Sequence, residues 1–151
     1  LGKDYYTYVV TGYCELDEGS NWEGLMTIRH YNLTNCITIV DRNHCMIDGN
    51  TEDVMKLEPL ADKFVAFGFH TIVCEGNNIV SLCKAIDEAH KTKDKPTVIV
   101  ADTIKGVGIK LTSGNYKWHY GAIDEEMAKV AAKDLDEYSA ERIARCGKEF
   151  E

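Results

Sequence analysis

Positive charge is scarce in this chain. Lysine and arginine number 17 against 25 aspartates and glutamates, which gives a formal net charge of −8 and a pI near 5.1 over 151 residues. That balance argues against nucleic acid or an anionic membrane as the main partner, because both need an excess of cations. A phosphorylated ligand remains open, since backbone amides and single cations can hold phosphate. No apolar run approaches the roughly 20 residues of a membrane span, and the first residues lack the basic, apolar pattern of a secretory signal. The expected location is the cytoplasm. Six cysteines at 14, 36, 45, 74, 83 and 146 include no C-x-x-C pair, which disfavours a zinc ribbon or a redox motif. Cys36, Cys74 and Cys83 fall in apolar stretches and are expected buried and reduced. The Asn32-Leu33-Thr34 sequon carries no meaning in a cytosolic chain. Internal repeats and low-complexity tracts are absent. Gly106-Val107-Gly108 lacks the third glycine and the strand-to-helix setting of a dinucleotide fingerprint.

What is present suits one domain with a real core: 44% of residues are apolar and 28% charged. Four β-rich runs recur at Tyr5–Val10, Cys36–Val40, His70–Cys74 and Thr97–Ala101. Between them lie helix patterns. Ser20-Asn21-Trp22-Glu23 reads as a capping box opening a helix through His30, with Trp22, Leu25, Met26 and Arg29 along one side. Pro59 to Phe67 reads as a short helix, and Asn78–His90 is amphipathic through Ile79, Leu82, Cys83, Ile86 and Ala89. Alternating strands and helices predict a doubly wound, mainly parallel α/β sheet with helices on both faces. Val9-Val10, Ile37–Val40 and Val98–Val100 do not alternate, as strands buried on both faces should not. A Gly-containing loop to Gly121 and polar helices near Asp124–Ala132 and Asp134–Arg145 follow. The first strand begins almost at the first residue, so its neighbours and cover are expected from other elements or from a larger domain.

Ligands of such sheets gather at the carboxyl ends of the strands. Gly12-Tyr13-Cys14 follows the first strand and Asp41-Arg42-Asn43 ends the second. Adjacent strand ends bring position 13 and Asn43 over one spot, an arrangement suited to a hard cation held by carboxylate, amide and backbone oxygens plus a ligand's phosphates.

Several stretches in order carry a family resemblance: GYCELDEGSNWEG (12–24), IVDRNHCMIDG (39–49), TEDVM (51–55), LEPLADKFVAF (57–67), PTVIVADTIKG (96–106) and Trp118-His119. Together they resemble the second part of the N-terminal, thiamine-diphosphate-binding domain of transketolases, over nearly the whole chain. Residues 1–151 would then form one partial domain of that fold, apparently lacking its first part. Glu18–Glu23 and Pro59–Phe67 fit transketolase better than a 2-oxo-acid dehydrogenase component.

The resemblance implies roles. Asn43 would ligate Mg²⁺ through its side chain, with Cys45 adding a backbone carbonyl. Ile47 would pack on the thiazolium of thiamine diphosphate, and His119 would lie near the diphosphate and substrate. Glu18 and Glu23 would sit at a dimer interface and take part in proton communication between paired sites, so with His119 they are the catalytic candidates. Gly12, Tyr13 and Cys14 stand where the family has Gly-Asp-Gly, whose Asp binds Mg²⁺. Tyrosine is a neutral, weak ligand for a hard cation, its ring would intrude on the metal, and Cys14 adds a side chain where the backbone must approach closely. Two further departures are His119-Tyr120 in place of His-Gly and Gly76-Asn77-Asn78 in place of Gly-His-Asp. A reactive Cys14 would need a base and an orienting partner that the sequence does not name.

Two functions follow. The chain is an enzyme subunit that moves two-carbon ketol units between sugar phosphates, active only with a partner carrying the pyrimidine-binding (C-terminal) domain in a homo- or hetero-oligomer. Alternatively it is a non-catalytic subunit that keeps the fold and the pairing surface with impaired metal and cofactor binding.

Overall fold

The computed structural model describes residues 3–146, with the side chain of Cys146 outside that description. Strand β1 (Thr7–Gly12) runs into a 3-10 turn (Tyr13–Asp17) and then helix α1 (Gly19–His30). Strand β2 (Cys36–Arg42) leads to a hairpin of β3 (Cys45–Met46) and β4 (Gly49–Asn50), and on to α2 (Thr51–Val54) and α3 (Leu60–Ala66). Strand β5 (His70–Glu75), helix α4 (Ile79–Lys91) and strand β6 (Thr97–Asp102) come next. A second 3-10 turn (Tyr116–His119) precedes α5 (Glu125–Cys146).

The four longer strands form one all-parallel sheet in the order β1-β2-β6-β5. The chain steps across the sheet from β1 to β2 to β5 and then turns back to β6. Right-handed crossovers therefore send α1 and α3 to one face and α4 to the other. Two clusters bear this out. Leu25 of α1 and Leu60 and Phe64 of α3 pack with Val40, Val98 and Val100, whereas Ala85 and Ala89 of α4 pack with Ile37 and Ile99. This is the doubly wound arrangement expected from the sequence. Trp22 stacks on Phe64, with ring centroids 5.7 Å apart, and meets Phe67 edge-on. Burial of Phe64 alone contributes about 2–3 kcal/mol. Helix α4 opens on Asn78, whose side chain accepts from the Val80 and Ser81 amides at 3.0 and 3.2 Å, a cap of about 1 kcal/mol.

Several expectations need correction. Central β2 and β6 are buried, but on β1 only Thr11 is; Val9 and Val10 are 38% and 69% exposed because β1 is an edge strand. The Ser20–Glu23 box does not cap α1. The helix starts at Gly19 after Glu18, and Asn21 and Trp22 instead donate back to the carbonyls of Glu15 and Leu16. Cys83 is exposed and Cys36 and Cys74 are half-buried, although the described cysteines are free thiols. The two C-terminal helices are one. Asp134, which resembles a cap in sequence, is buried and accepts from the Lys110 amide at 2.9 Å, tying α5 to the preceding loop.

Candidate functional site

At the carboxyl edge of the sheet, register pairs Gly12 with Asp41, Arg42 with Asp102, and Glu75 with Asp102. Connections leaving β1 and β2 go to one face and that leaving β5 goes to the other, so a crevice opens beside β6, where ligands of such sheets collect. A cavity of about 410 Å³ lies there, lined by Asp41, Asn43, Asn77, Thr103 and Lys105. Glycine at 76 is required by this packing, since a Cβ there would come 2.3 Å from the Thr103 side chain. Asn43 is held within its own loop: its amide donates to Asp41 at 2.9 Å, and its oxygen accepts from the Cys45 amide at 3.0 Å. The Thr103 hydroxyl donates to the other Asp41 oxygen.

Tyr13 has no solvent exposure and is the largest of the fully buried side chains. Its ring packs with Leu16, Val40, Leu57 and Leu60. Its hydroxyl donates to Glu52 at 2.8 Å and to Glu58 at 3.1 Å. The Glu52 oxygen also accepts from the Leu57 amide, and Glu58 from the Leu60 amide. Arg42 closes the group. Its Nε and Nη2 lie 2.6 and 2.5 Å from Glu58, and its Nη1 lies 2.9 Å from Asp102. His44, in left-handed backbone at φ 62°, brings its Nε2 within 2.7 Å of the same Asp102 oxygen.

These contacts set the protonation states. Burial, then the hydrogen bond to Glu52, pushes the Tyr13 phenol above its ordinary range, so it stays a neutral donor. The Tyr13 hydroxyl and the Leu57 amide hold Glu52 below the usual carboxylate value. Burial pushes Glu58 up, but the Leu60 amide and Arg42 outweigh it and leave Glu58 low. Burial pushes the Arg42 guanidinium down, and Glu58 and Asp102 reverse that, so Arg42 is firmly a cation.

The expected site residues are partly gathered. Gly12 ends β1 in extended backbone, with its N–H donating to Glu15. Cys14 is a half-buried thiol in the turn after it. The turn containing Tyr13 and Cys14 packs on β3, and the Tyr116–His119 turn packs on both β3 and β4. Cys45 is buried and pairs with Asn50, and burial raises its thiol. Ile47 sits at the tip of this hairpin, 58% exposed, and His119 is exposed with Tyr120 beside it. Glu18, at the N-cap of α1, and Glu23, within it, are exposed. The Tyr13 ring turns into the core, bonded to carboxylates, rather than outward over the spot shared with Asn43. Arg42, His44, Glu52, Glu58 and Asp102 were not foreseen. The signal available was a basic residue inside the strand-end run Asp41–His44, with acids at 52, 58 and 102.

A sequence model of the transketolase, thiamine-diphosphate-binding domain matches residues 2–140. An apulose-4-phosphate transketolase subunit of Phocaeicola vulgatus is 35% identical over 146 residues, covering 97% of this chain and 50% of that protein. The 6-deoxy-6-sulfo-D-fructose transketolase subunit SqwG of a Clostridium species is 36% identical, covering 88% and 48%. The crystal structure of transketolase from Campylobacter jejuni superposes with a TM-score of 0.81 at 28% identity, over 88% of this chain and 21% of that one. The chain thus spans about half the length of the two transketolase subunits.

The corner between Gly12 and Asn43 does not fit a divalent cation. The Tyr13 oxygen donates to two carboxylates, both ends of the Asn43 amide are engaged, and among the described residues no three His, Cys, Asp or Glu side chains gather as a metal site. At Tyr13 a cation would have to displace contacts already made, and from Asn43 it would gain only the remaining lone pair of the amide oxygen.

Proposed function

Because this chain belongs to the transketolase family, within its thiamine-diphosphate-binding domain, we propose that it serves as the cofactor-domain subunit of a two-chain assembly whose own metal corner is closed. Pairing with a subunit carrying the pyrimidine-binding domain is retained, and Mg²⁺-dependent binding of thiamine diphosphate is lost or strongly weakened. One observation carries this reading: the Tyr13 hydroxyl is held between Glu52 and Glu58, at the position where the resemblance puts the metal-binding carboxylate. Two relatives from different bacteria are each named as one subunit of a transketolase, which supports a partner chain. Glu18 and Glu23, exposed on α1, are the residues offered to that interface. A cytoplasmic setting belongs to the same proposal. Among the described residues no helix is long and apolar enough to cross a membrane.

The test is calorimetric titration of thiamine diphosphate with Mg²⁺ into the chain, alone and mixed with a pyrimidine-domain subunit. The expected result is assembly without micromolar, metal-dependent binding. Micromolar binding in the assembled complex would overturn the closed corner. Where such binding is absent, Tyr13→Asp combined with Cys14→Gly should raise metal-dependent affinity in the assembled complex, and no gain would count against Tyr13 as the defect.

A second reading keeps the enzyme. It is favoured by Ile47 and His119, which are both exposed and both belong to segments packed at the β3–β4 hairpin. In that case Gly12, Asn43, the Cys45 carbonyl and Ile47 hold the cofactor, with Cys14 tolerated beside the diphosphate. His119 then meets the sugar phosphate, and the mixed chains transfer ketol units. A ketol-transfer assay of the mixture across several sugar phosphates separates the two readings.

A further inference from the structure

The loop between β6 and the Tyr116–His119 turn is wound on itself. The Gly114 amide donates to the Lys105 carbonyl at 2.8 Å and closes a neck. Inside the neck, the Thr112 hydroxyl donates to the Gly106 carbonyl at 2.9 Å, and the Thr112 and Ser113 amides donate to the Ile109 carbonyl at 3.1 and 2.9 Å. A Cβ at Gly106 would come 2.7 Å from the Thr112 carbonyl oxygen, so the two arms touch. Residues 105–114 are thus one small bonded body, not a slack connection.

Lys105 and Val107 of this body wall the crevice of about 410 Å³ at the end of β6. Val107 also borders a cavity of about 350 Å³ toward His44 and Arg145, and one of about 240 Å³ toward α5. Beneath the neck lies Cys45, 5% exposed, with its Sγ 4.0 Å from the Gly114 carbonyl oxygen.

The hold of α5 on this body is narrow. Buried Asp134 accepts from the Lys110 amide at 2.9 Å. The Lys110 ammonium reaches Asp134 and Glu137 at 3.2 and 2.6 Å, but it is 74% exposed and adds little. Gly108 lies so close to α5 that a Cβ there would come 3.1 Å from Leu135 and from Tyr138. Among the described side chains of α5 only Asp134 is buried. A segment held by so few buried contacts opens at a lower free energy than the core of the sheet.

We infer that residues 105–114 are a strap over the crevice, latched by Asp134. When α5 lets go, the strap lifts as a unit and uncovers the crevice and Cys45 while the sheet stays folded. Asp134 lines neither the crevice nor the cavity at His44, so it acts through the strap as a positioning residue. Access to the strand ends, not the group bound there, is what α5 controls, and both functional readings are compatible with that.

The test is alkylation of Cys45 by iodoacetamide in the whole chain, read by peptide mass spectrometry, with amide exchange at Lys110 and Ile99. In the wild type, Cys45 and Lys110 should share one opening constant, at least tenfold above that of Ile99 and less dependent on urea. Asp134→Ala should raise the Cys45 opening about tenfold or more. Asp134→Asn, whose amide oxygen still accepts from Lys110, should recover part of that change. Lys110→Ala keeps the backbone bond and should stay within about threefold. Gly108→Ala, strained at φ 99° and pressed on Leu135 and Tyr138, should open the strap with α5 unaltered. Ile37→Val, in the core on the other face, should speed Ile99 several-fold and leave Cys45 unchanged. Cys45 opening only as fast as Ile99 would overturn the proposal, as would indifference of Cys45 to both Asp134→Ala and Gly108→Ala. Neither metal nor cofactor enters this experiment, so its failure leaves the closed corner at Tyr13 untouched.

Discussion

Two regions near either end of β1 and α1 behave in opposite ways. At the Tyr13 corner the groups around the phenol are answered from within the chain: hydroxyl, two glutamates, Arg42, Asp102 and His44 form one connected set. Along the flank of the same strand, the buried Thr11 and Thr38 hydroxyls have no partner among the described residues. The corner is finished and the flank is not. Finishing the corner internally is what removes it from metal chemistry, because a ligand binds where donors and acceptors still lack partners. At the flank, by contrast, two buried hydroxyls still lack partners among the described residues.

The contrast breaks most violently at Tyr13→Asp. Loss of the largest fully buried ring, with a third carboxylate set beside Glu52 and Glu58, should cost about 4 kcal/mol or more, read as a lowered denaturant midpoint. Recovery of part of that loss by Mg²⁺ would show the corner reopened to a cation. Arg42→Met comes next. It leaves Glu58 and Asp102 without their cation, and should cost about 2–3 kcal/mol, checked by the same unfolding curves.

Tyr13→Phe keeps the ring and removes one donor, so about 1–2 kcal/mol is expected, with a pH signature. Glu52 and Glu58 are held below the ordinary carboxylate value when folded. Their contribution is therefore complete above about pH 4.3, the unfolded value, and is lost as pH falls through the depressed folded values. Stability measured from pH 3 to 7 should show the gap between wild type and variant narrowing at the acid end; a constant gap would mean the hydroxyl does not act through these carboxylates. The smallest effect belongs to the flank. Thr38→Val deletes an orphaned hydroxyl and should be neutral or stabilising by up to about 1 kcal/mol. A clear loss of stability there would mean that water already meets the hydroxyl.

The same division runs through what the sequence alone could reveal. Strands β2, β5 and β6 and helices α3 and α4 were legible because their apolar spacing is local and their packing agrees with it. The metal-unfriendly character of Tyr13 and Cys14 was legible as chemistry. Its resolution was not, because Glu52 and Glu58 lie 39 and 45 residues away and only the fold brings them to the phenol. Ser20 and Glu23 have the spacing of a capping box, yet the helix already begins at Gly19, which leaves Ser20 inside it. Asp134 reads as a helix start, but burial against Lys110 turns it into the middle of a long helix. The hairpin β3–β4 has two-residue strands, too short to leave a periodic trace. The exposure of Val9 and Val10 was hidden because Val-Val reads alike in a central strand and at a sheet edge.

The composition of strand β1 also bears on how the described chain behaves at high concentration. An uncharged, proline-free edge is a template for other open edges, so wherever the outer side of β1 is left uncovered, chains stack into insoluble material. Electrostatic repulsion from the net charge of −8 is the main brake, and it vanishes as pH approaches the pI near 5.1. Shelf life in solution should accordingly be shortest in mildly acidic buffer.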